Sequence, residues 1–328
     1  MRAPTRRLIT LGILFSAAIL NVLLVVPVLF LFFSLDLCTD KRLPRTRAYL
    51  IICFYLCWES LGVIAAFAVW IFAHPRLPLS GRYFIPCNYG LQRVWVRGFT
   101  GVGRWLFSLS PDIQGDYAFG ERPFILLARH TSLADTILVS WIVLVQHKIR
   151  MRFVMKQELL WDPCLDIVGN RLPNYFVDRA SKNTARELEH IAALARGLEP
   201  GQGVVMYPEG TRFSEAKRRV ALQRLKEKGD QDLLDVAENM RHVLPPKLSG
   251  TLAVLDNAPG ADVVFFAHAG FEGAASFADF FRGSMIGRAV HVRYWSVPAS
   301  AIPRDPEERR RWLFREWLRI DEAIGAWK

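Results

Sequence analysis

The sequence predicts an α/β fold, with a mostly parallel sheet flanked by helices, preceded by an N-terminal two-helix membrane hairpin. Two apolar segments predict the hairpin: residues 8–33 carry no charge, and residues 48–73 carry only Glu59. Each is longer than the roughly 20 residues that a helix needs to cross a bilayer core. In the rest of the chain, short apolar runs alternate with helical segments, and this alternation predicts a parallel sheet.

The chain is therefore expected to form two units, a hairpin at 1–75 and an α/β domain at 76–328. Strands are predicted at 116–119, 124–128, 151–155, 174–179, 204–207, 263–267 and 289–295. Helices are predicted at 133–146, 181–196 and 214–228, and a last helix begins after Asp305. Asp305, the proline after it and the two glutamates that follow are typical of a helix N-terminus.

The composition also indicates a membrane protein, since 52% of the 328 residues are hydrophobic. Residues 90–108 predict an interfacial helix, whose apolar stripe (Leu91, Val94, Trp95, Phe99, Val102, Trp105, Leu106) opposes three arginines (Arg93, Arg97, Arg104). The alternative is that this stripe packs on the protein's own domain. Basic residues at both ends of the first apolar segment leave orientation open, and the hairpin either spans the bilayer or re-enters it. We expect an integral membrane protein whose large domain lies on the cytoplasmic side.

A histidine and an aspartate lie five positions apart where the strand at 124–128 ends. Ser132 and Asp135 have the spacing of a capping box, so a helix is expected to begin there. His130 then lies at the corner between strand and helix, and Asp135 folds back to hold one ring nitrogen. The other nitrogen is left to take a proton from a hydroxyl. The sequence therefore predicts a general base, with backbone amides after Ser132 as expected donors to an oxyanion.

A second turn follows the strand at 204–207 and suits phosphate binding. Gly210 permits a positive φ angle, Thr211 offers a hydroxyl, and Arg212 presents a planar fork to a phosphate. Glu209 is expected to accept from a substrate hydroxyl or to hold Arg212. Between the two motifs, the strand at 174–179 ends in Asp178 and Arg179, and Arg179 is a further candidate for phosphate binding.

In this order the motifs resemble those of glycerolipid acyltransferases of the 1-acylglycerol-3-phosphate (lysophosphatidate) acyltransferase family. The matching residues are His130 and Asp135, then residues 176–179, then residues 208–212, and a proline-containing block at 244–250. The resemblance implies a catalytic pair in His130 and Asp135 and substrate binding by Arg179, Glu209, Gly210, Thr211 and Arg212. It covers roughly residues 85–300.

Three residues depart from the usual family pattern. Arg129 stands where the family usually has Asn, Pro173 where it has Gly, and Tyr207 where it has Phe. Arg129 adds a positive charge beside the base, which is expected either to lower the pKa of the histidine or to meet a substrate phosphate. These changes bear on the identity of the acceptor more than on the chemistry.

The net charge of +11 and the isoelectric point near 9.7 raise the question of nucleic-acid binding. Basic residues are dispersed or flank the apolar segments, so no nucleic-acid partner is expected, and membrane lipids and anionic substrates account for the charge. The densest basic stretch, residues 217–228, is either a solvated helix face or a surface for CoA phosphates or an acidic carrier protein. Cysteine and histidine spacings indicate no metal, and no dinucleotide loop, phosphate loop or serine-hydrolase motif is present. No cofactor is expected.

The resemblance implies acyl transfer from acyl-CoA or acyl carrier protein to the free hydroxyl of 1-acylglycerol 3-phosphate, which forms phosphatidate in phospholipid biosynthesis. The partners would be a lysophospholipid acceptor, an acyl thioester donor and membrane lipids. One alternative is a remodelling acyltransferase that acts on lysocardiolipin or lysophosphatidylinositol. Two others are a catalytically silent lipid-binding protein on the same fold and a lipid hydrolase, although the hydrolase lacks an evident nucleophile.

Overall fold

The computed structural model describes residues 3–78, 80–132, 134–181, 183–272 and 277–328. Helix α1 (Ala3–Thr39) and helix α2 (Pro44–Phe72) pack against each other as the predicted hairpin. The turn between them is held by Asp36, whose buried carboxylate accepts from the backbone N–H and the hydroxyl of Thr46, both at 2.8 Å. By length and composition, both helices are able to cross a membrane.

Helix α2 contacts the rest of the chain along most of its length. Near its start, Arg47 donates to the carbonyl of Leu106. Near its end, the carbonyl of Ala66 accepts from Arg171 at 2.8 Å. At 1.5 Å per residue, these two contacts lie about 29 Å apart along the helix. The hairpin therefore lies along the large domain, with its turn and its far end both in contact with it.

Helix α3 (Phe84–Phe107) contains the predicted interfacial segment and begins six residues earlier than expected. It packs on α2, where the ring of Trp58 covers Gly98 so closely that a Cβ there would lie 2.5 Å from the indole. Part of the apolar stripe is buried in the domain, including Leu106, while Trp105 is 76% exposed. One part of the apolar stripe therefore packs on the protein's own domain, whereas Trp105 does not.

Seven strands form one sheet: β1 (Ser110–Asp116), β2 (Phe124–Ala128), β3 (Arg150–Lys156), β4 (Tyr175–Val177), β5 (Gln202–Met206), β6 (Asp262–Ala269) and β7 (Ala289–Val297). Their order is β1-β7-β6-β2-β5-β3-β4, and every pair is parallel except β6 with β7. This arrangement confirms the predicted mostly parallel sheet. The fully buried strand β2 lies at its centre.

The first predicted strand, 116–119, was wrong, because strand β1 ends at Asp116. Strand β1 is an edge strand that pairs only with β7, and its residues are mostly exposed and polar. An edge strand of this kind lacks the apolar run by which the other strands were found.

Helices cover both faces of the sheet: α4 (Ala134–Ser140), α5 (Pro163–Gly169), α6 (Thr184–Ala193), α7 (Glu215–Glu227), α8 (Gln231–Glu238), α9 (Leu248–Asp256), α10 (Phe277–Phe281) and α11 (Pro306–Gly325). Helix α4 continues as a π-helical segment, Trp141–Gln146, and its predicted start at Leu133 lies outside the described residues. Asp305 caps α11 as predicted, accepting from the N–H of Glu308 at 2.9 Å. The short helices α5, α8, α9 and α10 were not predicted, since they are too brief to show helical periodicity.

The contacts of the hairpin predict that residues 5, 38 and 300 are accessible from the same side of the membrane. Arg6 is paired with Asp166 of α5 at 2.9 Å, and the hairpin turn contacts the domain, so both ends of α1 lie at the domain. Single cysteines at positions 5 and 300, and the native Cys38, should react equally with an impermeant thiol reagent in sealed vesicles of one orientation. The other native cysteines are replaced by serine. Labelling of Cys38 from the opposite side would show that the hairpin spans the bilayer and leaves the domain at its turn.

Candidate active site

The sequence motifs meet at one edge of the sheet, where four parallel neighbouring strands end. Strands β2, β5, β3 and β4 are adjacent in that order, so their carboxyl ends lie side by side. Residues that follow or end these strands are His130, Tyr207, Lys156 and Arg179. All four line one cavity. Clefts of open α/β sheets are expected at this edge.

His130 and Asp135 form the predicted pair. His130 Nδ1 lies 3.1 Å from Asp135 Oδ1, and the histidine is 8% exposed while the aspartate is fully buried. Burial favours a raised pKa for Asp135, but its hydrogen bond to His130, the electrostatic effect of the two nearby imidazoles and the backbone hydrogen bond from Ser132 outweigh burial and lower it. The carboxylate therefore stays ionised and holds Nδ1 as the protonated nitrogen. The other ring nitrogen, Nε2, is left as the basic one.

The capping box is also present, and it uses the amides at the helix start. Asp135 Oδ2 accepts from the N–H of Thr131 and from the N–H of Ser132, the latter at 2.7 Å. Ser132 Oγ accepts in turn from the N–H of Ala134 at 3.1 Å and from that of Asp135. Each described amide of this segment therefore already has an acceptor in the chain, so the expected oxyanion donor after Ser132 stays a prediction. The amide of Leu133 lies outside the described residues.

Glu209 is a buried bridge between two loops. Its carboxylate oxygens accept from the backbone N–H of His130 and from that of Leu244, each at 2.9 Å, and the residue is 1% exposed. Glu209 thus ties the histidine loop to the proline-containing block at 244–250. The sequence placed Glu209 among substrate-binding residues, whereas its contacts are those of a positioning residue.

Arg129 faces away from the cavity, which removes the expectation that it meets a substrate phosphate. Its guanidinium is 1% exposed, lies 2.6 Å from Glu272, and donates to the carbonyls of His268 and His242 at 2.7 and 3.0 Å. The side chain therefore joins the ends of β2 and β6 to the loop before residue 244. Arg129, which precedes His130, thus anchors the end of strand β2. This structural role explains how an arginine is accommodated where the resembling family usually has Asn.

His268 lies next to the His130–Asp135 pair. It was not identified from the sequence. Its Nε2 lies 3.1 Å from the carbonyl oxygen of Arg129 and 3.8 Å from Asp135 Oδ2, in a fully buried position on β6. A carbonyl only accepts, so Nε2 carries the proton. Burial lowers the pKa of His268, which keeps the ring neutral. Its one sequence signal is a single histidine in the apolar run that follows Asp262 in strand β6.

Four cationic side chains line the cavity near His130, namely Lys156, Arg179, Arg212 and Lys247. Burial and the neighbouring positive charges lower the pKa of Lys156 and of Lys247. The sequence identified the two arginines and missed the two lysines, because neither lysine belongs to a motif read as phosphate-binding. Their like charges repel one another, and a ligand with negative charge would relieve this repulsion together with Asp178 and Glu187, which line the same cavity.

The turn at residues 210–212 has the predicted backbone. Gly210 has a φ of 67°, and a Cβ at this position would lie 2.9 Å from Lys247 Nζ. The glycine therefore serves both the left-handed turn and the close passage of the lysine. Thr211 Oγ1 accepts from Lys217 Nζ at 3.0 Å, so helix α7 is fastened to this turn.

The cavity has a volume of about 1390 Å³, and His130 lies on its wall. Away from the cations its lining is largely apolar and comes from α2, α3 and α4, including Ile51, Trp95, Phe99 and Trp141. A chamber with a cationic end and an apolar end suits an amphiphilic ligand. Among the described residues, no group of three or more His, Cys, Asp or Glu side chains is placed to hold a metal ion.

Replacing Glu272 by glutamine is predicted to destabilise the protein by about 1 to 3 kcal/mol, because the buried Arg129 guanidinium loses its charged acceptor. Burial favours a raised pKa for Glu272, but Arg129 holds it at about 2, below the ordinary 4.5. A lowered carboxyl pKa stabilises the fold above pH 4.5, and this contribution is lost as the pH falls toward 2. The difference from wild type in unfolding midpoint should shrink over that range.

Glu238→Gln, on the exposed surface of α8, is the matched control and should leave the midpoint unchanged. A pH-independent difference for Glu272→Gln would mean that the ion pair with Arg129 does not form.

Comparison with known proteins agrees with this geometry. Residues 110–248 match the model of the acyltransferase family. The fold is similar to the solved structure of the 1-acyl-sn-glycerophosphate (LPA) acyltransferase PlsC from Thermotoga maritima, with a TM-score of 0.54 and 16% identity, over 87% of this chain and 97% of that one. No curated protein matches the chain in sequence. Both comparisons agree with the resemblance read from the motifs: residues 110–248 match an acyltransferase domain, and the fold is like that of the solved acyltransferase structure.

Proposed function

We propose that the protein transfers a fatty acyl group from acyl-CoA or acyl carrier protein to the free hydroxyl of 1-acylglycerol 3-phosphate, forming phosphatidate. The observation that carries the proposal is that His130, held by Asp135, lines the same cavity as four cationic side chains and a largely apolar wall. The apolar wall would accept an acyl chain and the cations a phosphate, with the base in the same cavity.

In this reaction His130 Nε2 takes the proton of the acceptor hydroxyl as its oxygen attacks the thioester carbon. The carbonyl electrons move onto oxygen and give a tetrahedral oxyanion. This intermediate collapses, an ester is formed, and the carbon–sulfur bond breaks. The leaving thiolate takes the proton from the imidazolium, which Asp135 has stabilised through Nδ1 at 3.1 Å. No protein nucleophile and no acyl-enzyme are required.

The cationic cluster favours an acceptor with a terminal phosphate. Such a phosphate carries close to two negative charges and three acceptor oxygens, and Arg212 offers a planar fork that suits two of them. Arg179, Lys156 and Lys247 line the same cavity and add positive charge around it. A phosphate esterified to a headgroup has one negative charge fewer and would leave more of this repulsion uncompensated.

The hairpin supports a reaction at a membrane surface. The two apolar N-terminal helices and the exposed Trp105 would lie in lipid, so that the acceptor reaches the cavity without leaving the bilayer surface. The donor is water-soluble, and we therefore propose that the domain faces the cytoplasm, where acyl thioesters are made.

Acyl transfer tests the proposal directly. Membranes that contain the protein are incubated with labelled acyl-CoA or acyl carrier protein and a panel of lyso-acceptors, and labelled phosphatidate is measured. His130→Ala should lower kcat by about 10²-fold to 10⁴-fold or more, since a positioned base is lost, while extraction and folding are unchanged. Asp135→Asn should lower kcat by a smaller factor. Near-normal kcat in His130→Ala, or label in free fatty acid alone, would contradict the mechanism.

Arg212→Lys should weaken the binding of an acceptor with a terminal phosphate more than the binding of an acceptor whose phosphate carries a headgroup. The ammonium group keeps the charge but cannot reproduce the two-pronged contact, so KM for 1-acylglycerol 3-phosphate should rise about tenfold. Initial rates with both acceptor classes provide the measurement. Arg219→Lys, on the exposed side of α7, is the control and should change neither KM. An equal loss with both acceptors would favour the remodelling alternative.

A further inference from the structure

The hydroxyl of Tyr207 is buried beside the proposed base and has no hydrogen-bond partner among the described residues. The rings of Tyr207 and His130 lie with their centroids 4.9 Å apart, tilted by 46°, and both residues line the cavity. A buried hydroxyl without a partner typically costs about 1 to 3 kcal/mol. Such a group next to a catalytic base indicates that its partner arrives with the substrate.

The backbone around Tyr207 fixes where this hydroxyl points. Tyr207 directly follows β5, its carbonyl accepts from the N–H of Gly210 at 2.8 Å, and Pro208 restricts the backbone after it. The ring packs against the hydrophobic core that lies between the sheet and α4. The phenol is therefore held at the site by the same turn that carries Glu209 and Arg212.

The phenol is a proton donor at neutral pH. Burial raises the pKa of Tyr207 well above 10, and the negative charge of Asp135 raises it further. The O–H bond is therefore intact throughout the range in which His130 acts as a base. A neutral donor in a buried site suits an oxygen that gains negative charge only in the transition state.

The amides that would ordinarily serve such an oxygen are occupied. The described N–H groups from residue 129 to residue 135 all donate within the chain: those of Arg129 and His130 to Phe266 and Glu209, and the others to the capping box. The described part of this segment thus leaves the oxyanion to another donor.

We propose that the Tyr207 hydroxyl donates a hydrogen bond to the thioester carbonyl oxygen as that oxygen becomes an oxyanion. This inference rests on the proposed acyl transfer and adds a catalytic residue to it. The carbonyl electron pair moves to oxygen as the new carbon–oxygen bond forms, and it returns when the carbon–sulfur bond breaks. Tyr207 keeps its proton throughout, and His130 alone carries the proton from hydroxyl to thiolate.

Tyr207 is one of the three positions at which this chain departs from the family pattern, where Phe is usual. Tyr207→Phe is therefore a change that the fold should accept. Phenylalanine has the same ring and removes only the hydroxyl. Because an unpaired buried polar atom disappears, the unfolding midpoint should stay the same or rise.

Tyr207→Phe should lower kcat by about tenfold to a hundredfold, with little change in KM for donor or acceptor, since the bond forms only in the transition state. Tyr89→Phe is the matched control. The hydroxyl of Tyr89 is buried but donates to the carbonyl of Met151 at 3.3 Å, outside the cavity lining. That variant should lose stability and keep kcat.

A dithioester donor, in which sulfur replaces the carbonyl oxygen, tests the contact itself. Thiocarbonyl sulfur is a weak hydrogen-bond acceptor. With the dithioester as acyl donor, the wild-type rate should therefore lack the acceleration that the Tyr207 hydrogen bond provides. The ratio of thioester to dithioester rates should therefore fall in Tyr207→Phe by about the same factor as kcat.

Each result decides the inference. Unchanged kcat in Tyr207→Phe would overturn it, and so would a loss of kcat with an unaltered ratio between the two donors, because that pattern reflects a change of shape. A wild-type protein that acylates no acceptor would refute the proposed function itself, and the role of Tyr207 with it. An active wild type with a normal Tyr207→Phe would refute the Tyr207 role alone.

Discussion

The carboxylate of Asp135 makes the contact on which the rest of the site depends. One oxygen holds His130 Nδ1 at 3.1 Å, and the other closes the first turn of α4 through the amides of Thr131 and Ser132. Capping and orientation of the base are thus one interaction. The charge is kept in a fully buried position because His130, Thr131 and Ser132 donate to it and the nearby His268 ring is neutral.

Around this contact, several motif residues act through the backbone instead of reaching the cavity. Glu209 joins the histidine loop to the loop at residue 244, and Arg129 joins the ends of two strands. Both side chains are 1% exposed. A motif with many charged residues therefore contains two kinds of members, those that hold the loops in place and those, such as Arg212, that line the cavity.

The sequence predicted the sheet, the hairpin and the pairing of His130 with Asp135, because apolar runs and capping signals are local properties of the chain. It did not predict the partners of Glu209 and Arg129, which lie 35 and 143 residues away in sequence at Leu244 and Glu272. It missed His268, Lys156 and Lys247 for the same reason. Their place in the site arises from strand order, which periodicity does not encode.

Helix α2 has one group of side chains that line the cavity and another that are exposed on the surface. Its side chains Ile51, Tyr55 and Trp58 line the cavity, while Ile64, Phe67 and Phe72, further along the helix, expose large apolar surfaces on the outside. The apolar helix that we propose to contact lipid is therefore also a wall of the cavity that His130 lines. Trimming away the apolar N-terminus to obtain a water-soluble domain would open that chamber to solvent. For this fold, solubility and an intact interior are competing properties.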